Sequence, residues 1–225
     1  MHIPDGFLNS GTATSLIGAA LGAVAFAVNK VRQVFFVKEK AAVLKTPEGL
    51  EIGGGVVTKL TEYGKSKLVK MLMLGLFIFG AQYFDLFVFQ GFPVHFLGGA
   101  LAAIMLGAME GFLVMAAVLL VQSLALGDGG LMALGANIFN MGVVATIGSY
   151  YLYHALRKKT KMSLAAFGAA LAGVVLAVVF YARELTVSGA GQMSLGQLLA
   201  VGLLAGFIEG LLTVGFLGVF RHQEN

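Results

Sequence analysis

Apolar residues run along this chain in long unbroken stretches rather than in the one-sided stripes of soluble helices. Seven stretches stand out, at 7–28, 69–89, 95–107, 109–127, 131–155, 164–182 and 196–220. A helix crosses a bilayer with about 20 apolar residues, so most of these are long enough to span one. The third, HFLGGALAAIMLG, has thirteen residues and is short for a crossing. It reads either as a tilted, partly internal helix or as one half of a helix interrupted near Gly107. Between the first two stretches lies a polar insert, 29–68, holding Pro47 and the Gly53–Gly54–Gly55 run. It reads as a hairpin or mobile loop rather than a domain. The predicted fold is one all-α integral membrane domain over 1–225, with about seven transmembrane helices.

Composition narrows the class further. Hydrophobic residues make up 58% of the chain and charged ones 12%, with a mean hydropathy of +0.89. Soluble domains average about 45–50% and about 25%, so a soluble enzyme and a disordered chain are both excluded. Glycine, at 32 of 225 residues, has no collagen period and reads as close helix packing in lipid. Cysteine is absent, so disulfides and thiolate metal sites are excluded and any metal is held by nitrogen, oxygen or methionine sulfur. The GGGVVTK run lacks the spacing of a phosphate-binding loop, and no HExxH or paired aspartate motif occurs. The chain is therefore expected to be neither an ATPase nor an enzyme.

The net charge of +4 is read against the membrane and not as a nucleic-acid signature. With seven spans and the amino terminus outside, 14 of the 15 Lys and Arg residues fall in or beside inner segments, leaving only Arg183 outside. Merging the third and fourth spans would put the Arg157–Lys161 cluster outside. The positive-inside rule thus predicts seven spans, amino terminus out and carboxy terminus cytoplasmic, with 29–68 a cytoplasmic loop. The first ten residues carry no Lys or Arg, so no cleavable signal is expected and residue 1 is expected to be the mature start.

Polar residues inside apolar stretches are costly unless paired or functional. Gln82, Asp85, Glu110, Gln122, Asp128, Asn137, Asn140 and Glu209 are of this kind. Asn137 and Asn140, at i, i+3 in GANIFNMG, are expected to share a helix face. Each admits two readings, support for a ligand set or interhelical hydrogen bonding. Small-residue stripes (Ala19/Ala23/Ala27, Gly18/Gly22 and Gly202/Gly206/Gly210) read as packing faces, one of which is open to a partner subunit. The ten methionines are scattered and read as core filling.

The opening Met1-His2-Ile3-Pro4-Asp5-Gly6 carries distinct chemistry. A free α-amine, the amide nitrogen of residue 2 and the His2 imidazole can close fused chelate rings on one cation. A fourth nitrogen, for which His95 is the candidate, completes a square-planar set suited to Ni(II) or Cu(II). Pro4 and the Asp5-Gly6 turn would fold the leader back into the bundle. The alternative is that His2 is a chance second residue and His95 an interfacial hydrogen-bonding group. Topology weighs for the chelate, since both fall on the outer side while His154 and His222 lie beside inner basic segments.

MHIPDGFL at the start, HFLGGALAAIMLG, and above all GDGGLMALGANIFNMGVV at 127–144 resemble the CbiM/NikM family. These are the substrate-binding membrane subunits of energy-coupling-factor transporters for cobalt and nickel. The resemblance covers residues 1 to about 144, is weaker over 160–225, and departs at the long 35–68 insert and at Val94. It implies a seven-helix subunit of a prokaryotic plasma membrane, whose amino-terminal segment threads into the bundle to bind Ni(2+), with Co(2+) as the alternative. It implies Met1, His2 and His95 as ligands. Asp5, Gln82, Asp128, Asn137 and Asn140 are the expected supporting shell. The implied partners are a membrane coupling subunit, cytoplasmic ATPases and a small accessory subunit. The competing expectation is a self-sufficient permease relaying protons through Asp85, Glu110 and Glu209.

Overall fold

In the computed structural model, residues 2–40, 43–45, 51–89, 92–190 and 194–222 are described. Met1 lies outside them. The first helix, α1 (Ser10–Phe35), starts where the Asn9 side chain accepts a hydrogen bond from the Thr12 N–H at 2.8 Å, occupying one of the donors a helix start leaves open. It runs seven residues past its expected end, into the polar insert. There the chain turns into an antiparallel ribbon, β1 (Phe36–Lys40) against β4 (Val56–Leu60), with β2 (Val43–Lys45) paired to β3 (Glu51–Gly53) beyond it. Thr61 closes the ribbon's base. Its hydroxyl and N–H both donate to the Phe35 carbonyl, at 3.0 and 2.8 Å, and its Oγ1 accepts from Gly64 to cap α2 (Glu62–Gln82).

The expected 69–89 span ends early. Helix α2 stops at Gln82, and β5 (Asp85–Phe89) pairs with β6 (Phe92–His95). The thirteen-residue stretch yields only α3 (Gly99–Leu106), interrupted from α4 (Ala108–Val121) by Gly107 at φ +108°. Helix α3 is an internal helix, with Ala100, Leu101, Ala102 and Ala103 all buried. The α4 helix continues through a π-wound turn, Gln122–Leu126, to a glycine-rich turn. Next, α5 (Leu134–Asn137), a π-wound stretch (Ile138–Ile147) and α6 (Gly148–Arg157) follow without a break. The final pair is α7 (Met162–Ser188) and α8 (Leu195–His222).

The described chain is mostly helical, and four of its helical segments are long and apolar enough to cross a membrane: Ser10–Phe35, Ala108–Leu126, Met162–Ser188 and Leu195–Phe220. The core lies around Phe96, Leu101, Phe112 and Met115, contributed mainly by α3 and α4. The Gly202/Gly206/Gly210 stripe packs within the chain. A Cβ at Gly206 would sit 2.9 Å from the Leu171 carbonyl oxygen, and one at Gly210 would sit 2.6 Å from the Phe167 ring. Around Gly18 and Gly22, by contrast, α1 has open space.

Candidate metal centre

The segment before α1 has no regular structure, yet Ile3 is fully enclosed. A buried backbone without a ladder needs other partners for its polar groups, and Asn137 on α5 supplies them. The Ile3 N–H donates to Asn137 Oδ1 at 2.8 Å, while Asn137 Nδ2 donates to the carbonyls of Ile3 at 3.1 Å and Gly129 at 2.9 Å. One side-chain amide thus ties the amino-terminal strap to the turn between α4 and α5. Asp5 makes the second tie. Its carboxylate accepts from the N–H groups of Leu131 (3.1 Å), Met132 (2.8 Å) and Ala133 (3.0 Å).

Glycines make that convergence possible. Gly129 and Gly130 have φ of +79° and +60°, a region costly to residues with a Cβ. A Cβ on Gly130 would collide with the Asp5 carboxylate, and one on Gly129 would lie 2.8 Å from Asn137 Nδ2 and 3.1 Å from His2 Cβ. The turn is shaped to let the strap lie on it.

The strap delivers His2 to His95. Their ring centroids are 4.9 Å apart with planes tilted by 45°. His2 Nδ1 donates to Asp128 Oδ2 at 2.9 Å, and its side chain is 5% exposed against 48% for Asp128. His2 Nε2 is buried with no hydrogen-bond partner among the described residues. His95 Nδ1 lies 3.0 Å from the Phe96 carbonyl oxygen. A carbonyl only accepts, so Nδ1 carries the proton and Nε2 keeps its lone pair. Burial pushes the His2 imidazole below its ordinary value, with the Asp128 hydrogen bond working the other way. The same hydrogen bond holds the Asp128 carboxyl below the usual carboxylate range.

His95 is held from behind. Two and three residues on, the backbone N–H groups of Leu97 and Gly98 each donate at 2.8 Å to one oxygen of the buried Glu209 on α8. The Leu97 carbonyl accepts from Gln82 Nε2 at 2.6 Å, and Gln82 Oε1 accepts from Gln122 Nε2 at 2.9 Å. Three helical segments therefore fix the backbone beside one imidazole. Glu209, weighed from sequence as a proton relay, is an anchor. Gln82 supports the His95 segment and not the strap.

Asn140 is not brought to the site. It donates to Glu184 Oε2 at 2.7 Å, facing α7. The expectation that it shares a face with Asn137 assumed α-helical spacing. From Ile138 the chain winds with i→i+5 bonding, whose wider turns move a residue three positions on to a different face. Glu184 itself carried no sequence signal, because beside Arg183 near a helix end it reads as interfacial. Among the described residues no three His, Cys, Asp or Glu side chains gather as a metal cage.

Comparison with known proteins places this geometry. The family model described as "CbiM: Cobalt uptake substrate-specific transmembrane region" matches residues 51–225, so similarity extends through the carboxy-terminal part where the motifs looked weaker. A relative in Archaeoglobus fulgidus, named as a fused nickel transport protein NikMN, is 32% identical over 96% of this chain. The chain spans 63% of that longer protein. A Haloquadratum walsbyi relative, named as a metal transport protein, is 31% identical over 96% of this chain and 87% of its own length. The cobalt transport protein CbiM of Thermosipho melanesiensis is 31% identical over 70% of this chain and 72% of its own. The crystal structure of a truncated transition metal transporter shares the fold, with a TM-score of 0.76 and 24% identity over 100% of this chain and 99% of that one. The apolar multi-helix fold and these matches lead to one assignment: the chain belongs to the CbiM/NikM family of membrane metal-transport proteins.

Proposed function

We propose that this protein is the nickel-binding membrane subunit of an ATP-driven, energy-coupling-factor importer in a prokaryotic plasma membrane. It crosses the membrane seven times, with its amino terminus outside and its carboxy terminus in the cytoplasm. It captures Ni(II) outside and releases it inward when a membrane coupling subunit and cytoplasmic ATPases, with a small accessory subunit, act on it. Met1 supplies its amine, His2 its amide and imidazole nitrogens, and His95 its Nε2. The observation that carries this reading is the meeting of the His2 and His95 rings, 4.9 Å apart, with His2 Nε2 buried and unpartnered.

Within His2, only Nδ1 is close enough along the chain to close a ring with the residue's own amide nitrogen. That atom now faces Asp128. A half-turn of the ring about Cβ–Cγ swaps Nδ1 with Cδ2 and Nε2 with Cε1, carrying Nδ1 away from Asp128 and bringing Nε2–H to the side that Asp128 faces. The bound form then has a carboxylate–imidazole–metal arrangement, which fixes the tautomer and raises ligand basicity. Four nitrogens in a plane favour Ni(II) over Co(II). The Thermosipho relative's name favours Co(II) as the second cargo.

Anaerobic titration of the purified chain with Ni(II), recording the d–d spectrum, tests the proposal. A tight one-to-one complex with a square-planar band is expected. A single residue added before Met1 removes the amine from the chelate and abolishes tight binding with the fold retained. His95→Ala weakens binding severely and His154→Ala leaves it unchanged. Tight binding by the extended variant overturns the assignment.

A further inference from the structure

The end of the bundle remote from the strap holds a cavity of about 700 Å³ that the metal chemistry does not use. It is bounded by Phe77 on α2, Met105 on α3, Tyr153 on α6, Met162 on α7 and Phe220 on α8, with Lys70 at its wall. Five helices leave a gap here because α3 is short. It stops at Leu106, so no side chains from a continuing helix fill the space between α2 and α8. The volume is of the size that encloses ligand-sized molecules (~300–1,000 Å³), and the lining is mainly apolar, with Lys70 and the Tyr153 hydroxyl as its polar side-chain groups. In a membrane protein such a space adjoins acyl chains, and leaving it without contacts forfeits dispersion attraction.

Cations predominate among the charges around it, with Glu110 beside Gly107 as the acidic exception. Lys70 lines the cavity and Lys161 precedes the lining residue Met162, while Arg157 ends α6, one turn beyond Tyr153, and Lys158 and Lys159 follow it. The Lys158 and Lys161 positions bracket a tight turn in which the Lys159 and Thr160 N–H groups both return to the Leu156 carbonyl, and this turn joins the two helices that bring Tyr153 and Met162 to the cavity. A slot of apolar side chains with Lys70 in its wall and a basic turn joining two of its lining helices matches one class of molecule: an apolar chain carrying an anionic phosphate head. Basic pockets between transmembrane helices bind anionic phospholipid headgroups in this way.

We propose that this cavity is a binding site for a single anionic phospholipid, with an acyl chain among Phe77, Met105 and Phe220 and the phosphate beside Lys70, Tyr153 and the 157–161 cluster. This goes beyond the metal assignment and does not depend on it. A helix from a partner subunit is the competing occupant. It is disfavoured by the volume, since a helix about 10–12 Å across would fill about 700 Å³ in fewer than two turns.

Native mass spectrometry of the detergent-purified full chain tests it, using phosphatidylglycerol, phosphatidylcholine of the same acyl chains, and inorganic phosphate as probes. One phosphatidylglycerol is expected to be retained in preference to phosphatidylcholine, with inorganic phosphate not retained. Lys70→Ala, at an exposed position, lowers phosphatidylglycerol retention about fivefold, the contribution of one cation near an anionic surface. Met105→Trp fills the slot and removes retention, with Ni(II) titration reporting that the fold persists. Equal retention of the two lipids, retention of phosphate alone, or lipid retention undiminished in both variants overturns the proposal. So does a cavity that becomes protected from a thiol probe at Met105→Cys only when a coupling subunit is co-purified, because that outcome assigns the slot to a protein.

Discussion

His2 rides on a strap with no secondary structure of its own, whereas His95 ends a strand and abuts a buried helix. The ties that hold them differ in the same sense. The strap is fastened by Asn137 and by Asp5, and the Asp5 bonds to Leu131 and Met132 are exposed. The His95 segment is fastened by Glu209, 2% exposed, and by Gln82, 4% exposed. Hydrogen bonds at a wet rim exchange with water at little net cost, while those to a buried carboxylate cannot be replaced by solvent. The His95 segment is therefore held by buried bonds alone, and the strap by the buried Asn137 bonds together with exposed ones at Asp5.

The largest effect is expected in the His95 segment. Glu209→Leu leaves the Leu97 and Gly98 N–H groups buried without acceptors, at about 1–3 kcal/mol each, and thermal unfolding in detergent should show a marked loss of stability together with loss of Ni(II) binding. Glu209→Gln keeps one acceptor and should lie between this variant and the wild type. Equal melting of the Leu and Gln variants would show that the two bonds do not hold the segment.

On the strap, Asn137→Leu removes all three bonds that tie Ile3 to Gly129. Because its anchors hold a ligand segment and not the core, Ni(II) affinity should fall more than stability does. The expected fall is up to about 100-fold, the upper range for groups that orient metal ligands. A melting shift as large as that of Glu209→Leu, with affinity intact, would reverse the comparison.

These anchors mark where sequence reasoning succeeds and where it stops. Long apolar runs gave α1, α4, α7 and α8 within several residues, because bilayer-length hydrophobicity is a local property. The pairing of His2 with His95 was among the few that four histidines allow, whereas Asp128 and Asn137 stood out only as polar residues in apolar stretches. The backbone hydrogen bonds of Glu209 were not readable, since any intramembrane carboxylate looks the same whether it moves protons or holds a loop. Nor was the π winding after Asn137 or the β5–β6 hairpin before α3, because both depend on tertiary packing that overrides apolar periodicity. An i, i+3 count cannot detect that the helix beneath it has changed pitch.

A smaller effect is expected at Asp128, which orients one ring from a half-exposed position. Asp128→Asn should lower Ni(II) affinity near neutral pH by about tenfold, the low end for such partners. The pH profile gives a second, independent readout. Affinity falls with pH as protons compete, first at the amine, near its reference value of about 8, and then at imidazole. Burial lowers the His2 value below 6.5 and Asp128 partly offsets this. Removing the carboxylate lowers it further, so the acid limb of the profile should move to lower pH. A shift to higher pH would mean that Asp128 does not act on His2.

The smallest effect is expected in the ribbon, at the opposite end of α1. A helix of 26 residues at 1.5 Å per residue puts it roughly 39 Å from the strap. The Lys59–Glu39 pair there is 2.8 Å long with side chains 63% and 50% exposed, and exposed pairs of this kind are screened by solvent and salt. Lys59→Ala should leave both the melting temperature and the Ni(II) affinity of the isolated chain unchanged. A changed affinity would mean that the ribbon and the strap are coupled along α1. The division into a core-held histidine and a rim-held one would then be incomplete, because a third region would be setting the position of the strap.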